Sequence, residues 1–127
     1  MARRREFDGA VTLIGGGQVT SAALERARPH APRLVAADGG ADAALALGAL
    51  PDLAVGDLDS ISDRARAALG PDRLIHDADQ DTTDFDKALA ALAAPLVLAV
   101  GFAGARLDHT LAAMSTLARH PHRRVVI

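Results

Sequence analysis

Two carboxylates one residue apart, Asp57 and Asp59 in the segment VGDLDS, follow directly on the apolar run at residues 53–55. Side chains of an extended chain alternate between faces, so this spacing sends both acids to one side and Leu58 to the other. A second acidic stretch, HDADQDTTDFDKA at residues 76–88, places Asp84 three residues before Lys87, the only lysine of the chain. At the start of a helix that interval puts an acid and a cation on one face. Asp38 closes another apolar run ahead of Gly39 and Gly40, and Arg106 and Asp108 lie in GFAGARLDH at residues 101–109. If these segments converge, Asp38, Asp57, Asp59 and Asp84 crowd together, and such crowding demands protonated carboxyls or a cation among them. With no cysteine in the chain and no histidine pair at metal-ligand spacing, oxygen donors remain, and they select a hard ion, Mg2+ or Mn2+. Mg2+ keeps several waters and is completed by substrate phosphates, so the acids imply a polyphosphate partner, with Lys87 and Arg106 placed to meet its charge.

Acids converge only if the elements that carry them end on one edge. Short apolar runs predict strands near residues 10–14, 33–37, 53–55, 73–75, 96–100 and 124–127. Segments of helical character lie between them near residues 19–28, 41–47, 62–69, 83–93 and 107–119. This alternation predicts an α/β fold, a doubly wound and mostly parallel sheet of about six strands with helices on both faces. In such a sheet ligands bind outside the carboxyl ends of the strands, which is where each Asp- and Gly-bearing segment falls. Phe85, Leu89 and Leu92 share one helix face, and Leu107, Leu111, Met114 and Leu117 form another stripe; both are expected to face the core. Pro51, Pro71, Pro95 and Pro121 punctuate the returns from helix to strand.

A chain of 127 residues fits one domain. Its only aromatics are Phe, so Ala, Leu, Val and Ile must fill the core. Fourteen of the sixteen acidic residues are Asp, a choice that favours loops, caps and metal ligands over helix interiors. The formal charge of −2 gives no basic field for nucleic acid. Absence of cysteine excludes disulfides and thiol nucleophiles. No apolar run is long enough to span a membrane, and MARRREFDGA lacks the apolar stretch of a secretory leader, so a cytoplasmic protein is expected. Residues 1–9 read as a basic, flexible, solvated segment. Gly15-Gly16-Gly17 lacks the lysine of a phosphate loop and reads as well as a plain tight turn. His120-Pro121-His122 reads as an exposed turn.

Taken together, ADGGAD at residues 37–42, VGDLDS at 55–60, DQDTTDFDKAL at 79–89 and GFAGARLDHTLA at 101–112 resemble thiamine pyrophosphokinase, the ATP-dependent thiamine diphosphotransferase. The resemblance runs from about residue 10 onward and implies a catalytic α/β domain over residues 10–127. It implies ATP and thiamine as substrates, Mg2+ as cofactor and a homodimer with substrate sites at the subunit interface. Asp57, Asp59 and Asp84 become the implied Mg2+ ligands, directly or through water, with Asp38 nearby. Gln80, Thr83, Lys87 and Arg106 would hold nucleotide phosphates, and Asp108 would lie near the thiamine hydroxyethyl group. Gly39, Gly40, Gly101, Gly104 and His109 join the implied nucleotide and substrate contacts, while Asp59, Asp84, Lys87, Arg106 and Asp108 form the implied catalytic set. Two departures stand out: Ala105 replaces a glycine common in the family's turn, and the family's β-sandwich domain, which contributes to its thiamine pocket, is not found in these residues. Three rival readings stay open. A related diphosphokinase would act on a hydroxymethylpterin; a haloacid-dehalogenase-type phosphatase would use Asp57-Leu58-Asp59-Ser60 as its DxDx[ST] motif; a non-catalytic module would bind nucleotide only.

Overall fold

A computed structural model describes residues 4–17, 19–57, 59, 61–77, 83–102 and 107–127. Six strands form one sheet: β2 (Val11–Ile14), β3 (Arg33–Ala37), β4 (Leu53–Gly56), β5 (Leu74–His76), β7 (Val97–Val100) and β8 (Val125–Val126). Their order across it is β5-β4-β3-β2-β7-β8, and every neighbouring pair is parallel. The helices are α1 (Ser21–Ala27), α2 (Gly40–Ala46), α3 (Asp63–Leu69), α4 (Asp84–Ala91) and α5 (Leu107–Arg119). This is the doubly wound α/β architecture that the alternation predicts. No described helix is long and apolar enough to cross a membrane.

Alternation along each strand builds two cores. Leu13, Val35, Ala37, Leu53 and Val55 face α4 and α5, where they meet Phe85, Ala88, Leu89 and Ala113. Ile14, Leu34, Ala36 and Ala54 face the other way, onto Leu24, Ala41, Ala44, Ala65 and Leu69 of α1, α2 and α3. Because side chains of successive strand residues point to opposite faces, near-continuous apolar runs are what a sheet covered on both sides requires. The chain winds outward from β2 to β5, then returns over α4 to lay β7 on the other side of β2. That reversal is the topological switch point of the sheet, between β2 and β7.

Three local features depart from the sequence reading. Residues 1–9 are not wholly a flexible end: β1 (Arg5–Glu6) pairs in parallel with β6 (Leu92–Ala93), and Phe7 donates its N–H to Ala93 O at 2.9 Å while its ring packs on the core. The helix expected to reach residue 93 stops at Ala91, because Leu92 turns extended to make that pairing. On α5 the expected core stripe faces solvent: Leu107, Leu111 and Met114 are 72%, 58% and 51% exposed, and Leu117 alone of the four packs partly on the core. Ala113 and Thr116, roughly on the opposite side of the helix, are the residues it buries.

Candidate active site at the carboxyl edge of the sheet

β2, β3 and β7 end in glycine-rich turns that pack directly on one another at the switch point. Gly17 donates its N–H to Gly101 O at 3.2 Å, and a Cβ on Gly15 would meet the Phe102 ring at 2.8 Å and Gly101 O at 2.9 Å. A Cβ on Gly40 would stand 2.1 Å from the carbonyl oxygen of Ile14. Gly16 differs, being exposed and finding its nearest neighbour, in Gly39, at an ordinary 3.6 Å. The turn left open as a plain turn therefore lines the crevice where a doubly wound sheet binds its ligand.

Asp38 follows β3 in a left-handed conformation, φ 45°, rare outside glycine, and is buried at 4% exposure. Its N–H donates to Val55 O at 2.8 Å, which ties it to the neighbouring strand. Gly56, at the end of β4, makes room for it: a Cβ on Gly56 would press on the Asp38 Cβ at 3.1 Å. Strain of this kind, held by surrounding structure, concentrates at functional sites.

β4 ends at Gly56, so the following acids are not set by extended backbone. Asp57 instead accepts the Asp59 N–H at 3.1 Å in an Asx-type turn, leaving Asp57 half-buried and Asp59 exposed. Beyond them Asp42 accepts both the N–H of Ser62, at 2.9 Å, and its hydroxyl, at 2.5 Å, so α2 anchors the far end of the loop where α3 begins.

Asp84 and Lys87 enter from the first turn of α4. Thr83 caps that helix, accepting the Asp86 N–H at 3.1 Å, and Asp86 reciprocates by accepting the Thr83 N–H at 3.3 Å and its hydroxyl at 2.9 Å. A capping box satisfies two orphan donors and fixes where the helix starts. Phe85 stacks on Phe102, centroids 4.3 Å apart, binding this turn to the end of β7. Lys87 is buried at 4% exposure and so is not a solvated surface charge. The Asp84 carboxyl is held above its ordinary value by desolvation, partly offset by the Lys87 ammonium, with Asp57 adding like-charge repulsion. The structure thus brings Asp84, Asp57 and Lys87 within electrostatic reach of one another.

Asp57, Asp59 and Asp84 do not form a three-donor metal cluster, and no other group among the described residues does. Two neighbouring carboxylates still suit Mg2+, which commonly takes one or two from the protein and leaves its other positions to water and phosphate. Asp108 lies exposed in the first turn of α5. Gln80, Gly104 and Arg106, and the side chain of His109, lie outside the described residues. Asp42, Gly56 and Asp86 were not singled out from sequence; a Thr followed three residues later by an acid was the available sign of the capping box.

A family profile described as thiamin pyrophosphokinase, catalytic domain, matches residues 24–127. The chain belongs to that family. No curated protein sequence matches it. Among solved structures it resembles thiamine pyrophosphokinase from Bacillus subtilis, at 24% identity and TM-score 0.70 over 93% of this chain and 60% of that one. Thiamin pyrophosphokinase from Candida albicans aligns at 18% identity and TM-score 0.73, over 94% and 58% of the two chains. A protein from Lactobacillus plantarum aligns at 30% identity and TM-score 0.69, over 94% and 61%. The chain therefore spans about three fifths of the length of these structures.

Proposed function

We propose that the chain is the catalytic α/β domain of an enzyme that transfers a diphosphoryl group from ATP to the hydroxyl of thiamine, giving thiamine diphosphate and AMP. What supports this reading is that Asp84 lies within electrostatic reach of both Asp57 and the buried Lys87, on segments that follow the carboxyl ends of the strands. Membership of the thiamin pyrophosphokinase catalytic-domain family supports this reading.

In that reaction the thiamine oxygen bonds to the β-phosphorus, the bond from that phosphorus to the oxygen bridging to the α-phosphate breaks, and AMP leaves with the bridging oxygen. Little covalent work falls to the protein, which must align the partners and neutralise charge. Lys87 is assigned to the phosphate oxygens; an ammonium screened from bulk water acts more strongly than a solvated one. Gln80 and Arg106 are assigned to the same phosphates, and Asp108 to orienting the hydroxyl and accepting its proton. Asp38, Gly39, Gly40 and Gly101 wall the crevice, while Thr83 sets the start of α4. Asp57 and Asp84, with Asp59 through water, would hold Mg2+, which when bound neutralises developing phosphate charge. A second copy of the chain is assigned to cover the exposed stripe of Leu107, Leu111 and Met114.

The test is incubation with MgATP and thiamine, with AMP and thiamine diphosphate separated by chromatography. Both products are expected in equal amounts. Product with a hydroxymethylpterin but not with thiamine would transfer the reading to the related diphosphokinases, and nucleotide binding without AMP would reduce the chain to a binding module. A trapped phosphoaspartate would favour the phosphatase instead.

A further inference from the structure

Asp86 has no part in the proposed chemistry, yet its carboxylate is buried and held by several hydrogen bonds. Its side chain is 8% exposed, and its Oδ2 accepts from the Thr83 N–H, the Thr83 hydroxyl and, at 2.5 Å, from an Arg119 guanidinium NH2. That guanidinium also donates to the Thr116 hydroxyl at 3.1 Å, which donates to Ala112 O at 3.1 Å, and His120 Nε2 stands 3.7 Å from Asp86 Oδ1. The last turn of α5 therefore grips the first turn of α4. The capping box alone does not need this, since it is completed within the turn by Thr83 and Asp86 without a partner from another helix. Burying a carboxylate is costly unless it is paired and hydrogen-bonded, and the partner that balances this one reaches in from a different helix.

What the grip holds is functional. Asp84 lies at the head of the same turn, and Lys87 follows one residue after Asp86, its N–H bonded to Thr83 O at 3.0 Å. Asp108 stands at the other end of α5. We propose that Asp86 and Arg119 are a positioning pair that sets the first turn of α4 against α5, and thereby places the Lys87 ammonium and Asp84 carboxylate for a nucleotide polyphosphate. The nucleotide, though not the clamp, rests on the function proposed above.

Lys87 being the sole lysine makes the test direct. Arg119→Gln, Arg119→Lys and the near-isosteric Asp86→Asn are compared with the parent chain for thermal unfolding, for the rate at which acetic anhydride labels Lys87 well below the melting temperature, mapped by peptide mass, and for MgATP affinity by calorimetry. Folded Arg119→Gln is expected to label several-fold faster and bind MgATP roughly tenfold to a hundredfold more weakly, the scale of a misplacement near one ångström. Arg119→Lys should recover part of both. If Arg119→Gln does not fold, Asp86→Asn carries the same expectation. A folded variant with a lower melting temperature but the parent's labelling rate overturns the proposal, as does faster labelling with unchanged MgATP affinity. If the parent itself binds no MgATP, the functional reading fails, and the labelling rates alone decide the pair.

Discussion

Gly40→Ala sets the switch-point packing against a control in the same crevice. An added methyl at Gly40 would lie 2.1 Å from the Ile14 carbonyl oxygen and 2.8 Å from its carbon. Both belong to the end of β2, in a region with no exposed surface at Ile14 or Gly40 to move into. No rotamer relieves a clash between Cβ and backbone, so β2 and α2 must separate. Overpacking of a close-packed core costs about 1–3 kcal/mol, and a backbone partner places this case near 3. Alanine also removes unfolded-chain freedom worth about 0.4–1 kcal/mol, leaving a net loss of about 2 kcal/mol. For a domain of this length that lowers the melting temperature by roughly 8 °C. Gly16→Ala, whose methyl would have no neighbour closer than 3.6 Å, should stay within about 0.5 kcal/mol of the parent. Circular dichroism melts of the three proteins provide the comparison. Equal shifts for the two variants, or an unshifted Gly40→Ala, would refute the claim that these glycines are there to let backbones touch.

Asp59→Asn should cost at least ~2 kcal/mol of transition-state stabilisation in the thiamine assay, the size of one lost electrostatic contact; undiminished turnover would remove Asp59 from the site. Asp84 is raised above its ordinary value, so its ionisation opposes folding and its contribution to stability falls as pH rises through the folded value. In metal-free buffer at neutral pH Asp84→Asn should therefore melt higher than the parent, and added Mg2+ should stabilise the parent more than the variant; a lower melt contradicts the assignment. For Asp86, burial pushes the carboxyl up, but hydrogen bonds led by those from Arg119 and Thr83 outweigh it and hold it below its ordinary 3.8. Its stabilisation is present above 3.8 and lost as pH falls through the depressed folded value, so the deficit of Asp86→Asn at neutral pH should close in acid, and a deficit independent of pH would count against the ion pair. Leu111→Glu, on the exposed stripe, should shift sedimentation from dimer to monomer without lowering the melting temperature of the monomer; a parent that sediments as a monomer would remove the second copy from the functional reading.

Much of this protein is legible in its sequence because local rules and the global fold agree. Near-continuous apolar runs, each closed by Gly or Asp, specify strands covered on both faces, and the alternation with helical segments specifies a parallel doubly wound sheet. Because such a sheet gathers its strand ends on one edge, the acids of VGDLDS and DQDTTDFDK were expected near one another, and Asp57 lies close enough to raise the Asp84 carboxyl. What sequence could not supply depends on partners distant along the chain. Apolar periodicity marks a stripe on α5 but not which side the neighbouring helix occupies, so Leu107, Leu111 and Met114 face out while Ala113 and Thr116 face in. The spacing marks Lys87 as a cation beside Asp84, but only the laying of α4 across β3 and β4 shows that it is buried. The pairing of Arg5–Glu6 with Leu92–Ala93 spans most of the chain and leaves no local trace in either segment. Asp86 looks like another acid in a helix's first turn; only packing brings Arg119 to it from 33 residues away and ties the two helices together. Residue types and spacing determine which elements form and which chemistry they can carry, since those follow from backbone geometry and side-chain period. Tertiary structure decides which charges lose their water, because desolvation is set by what packs above a side chain and not by its neighbours in sequence.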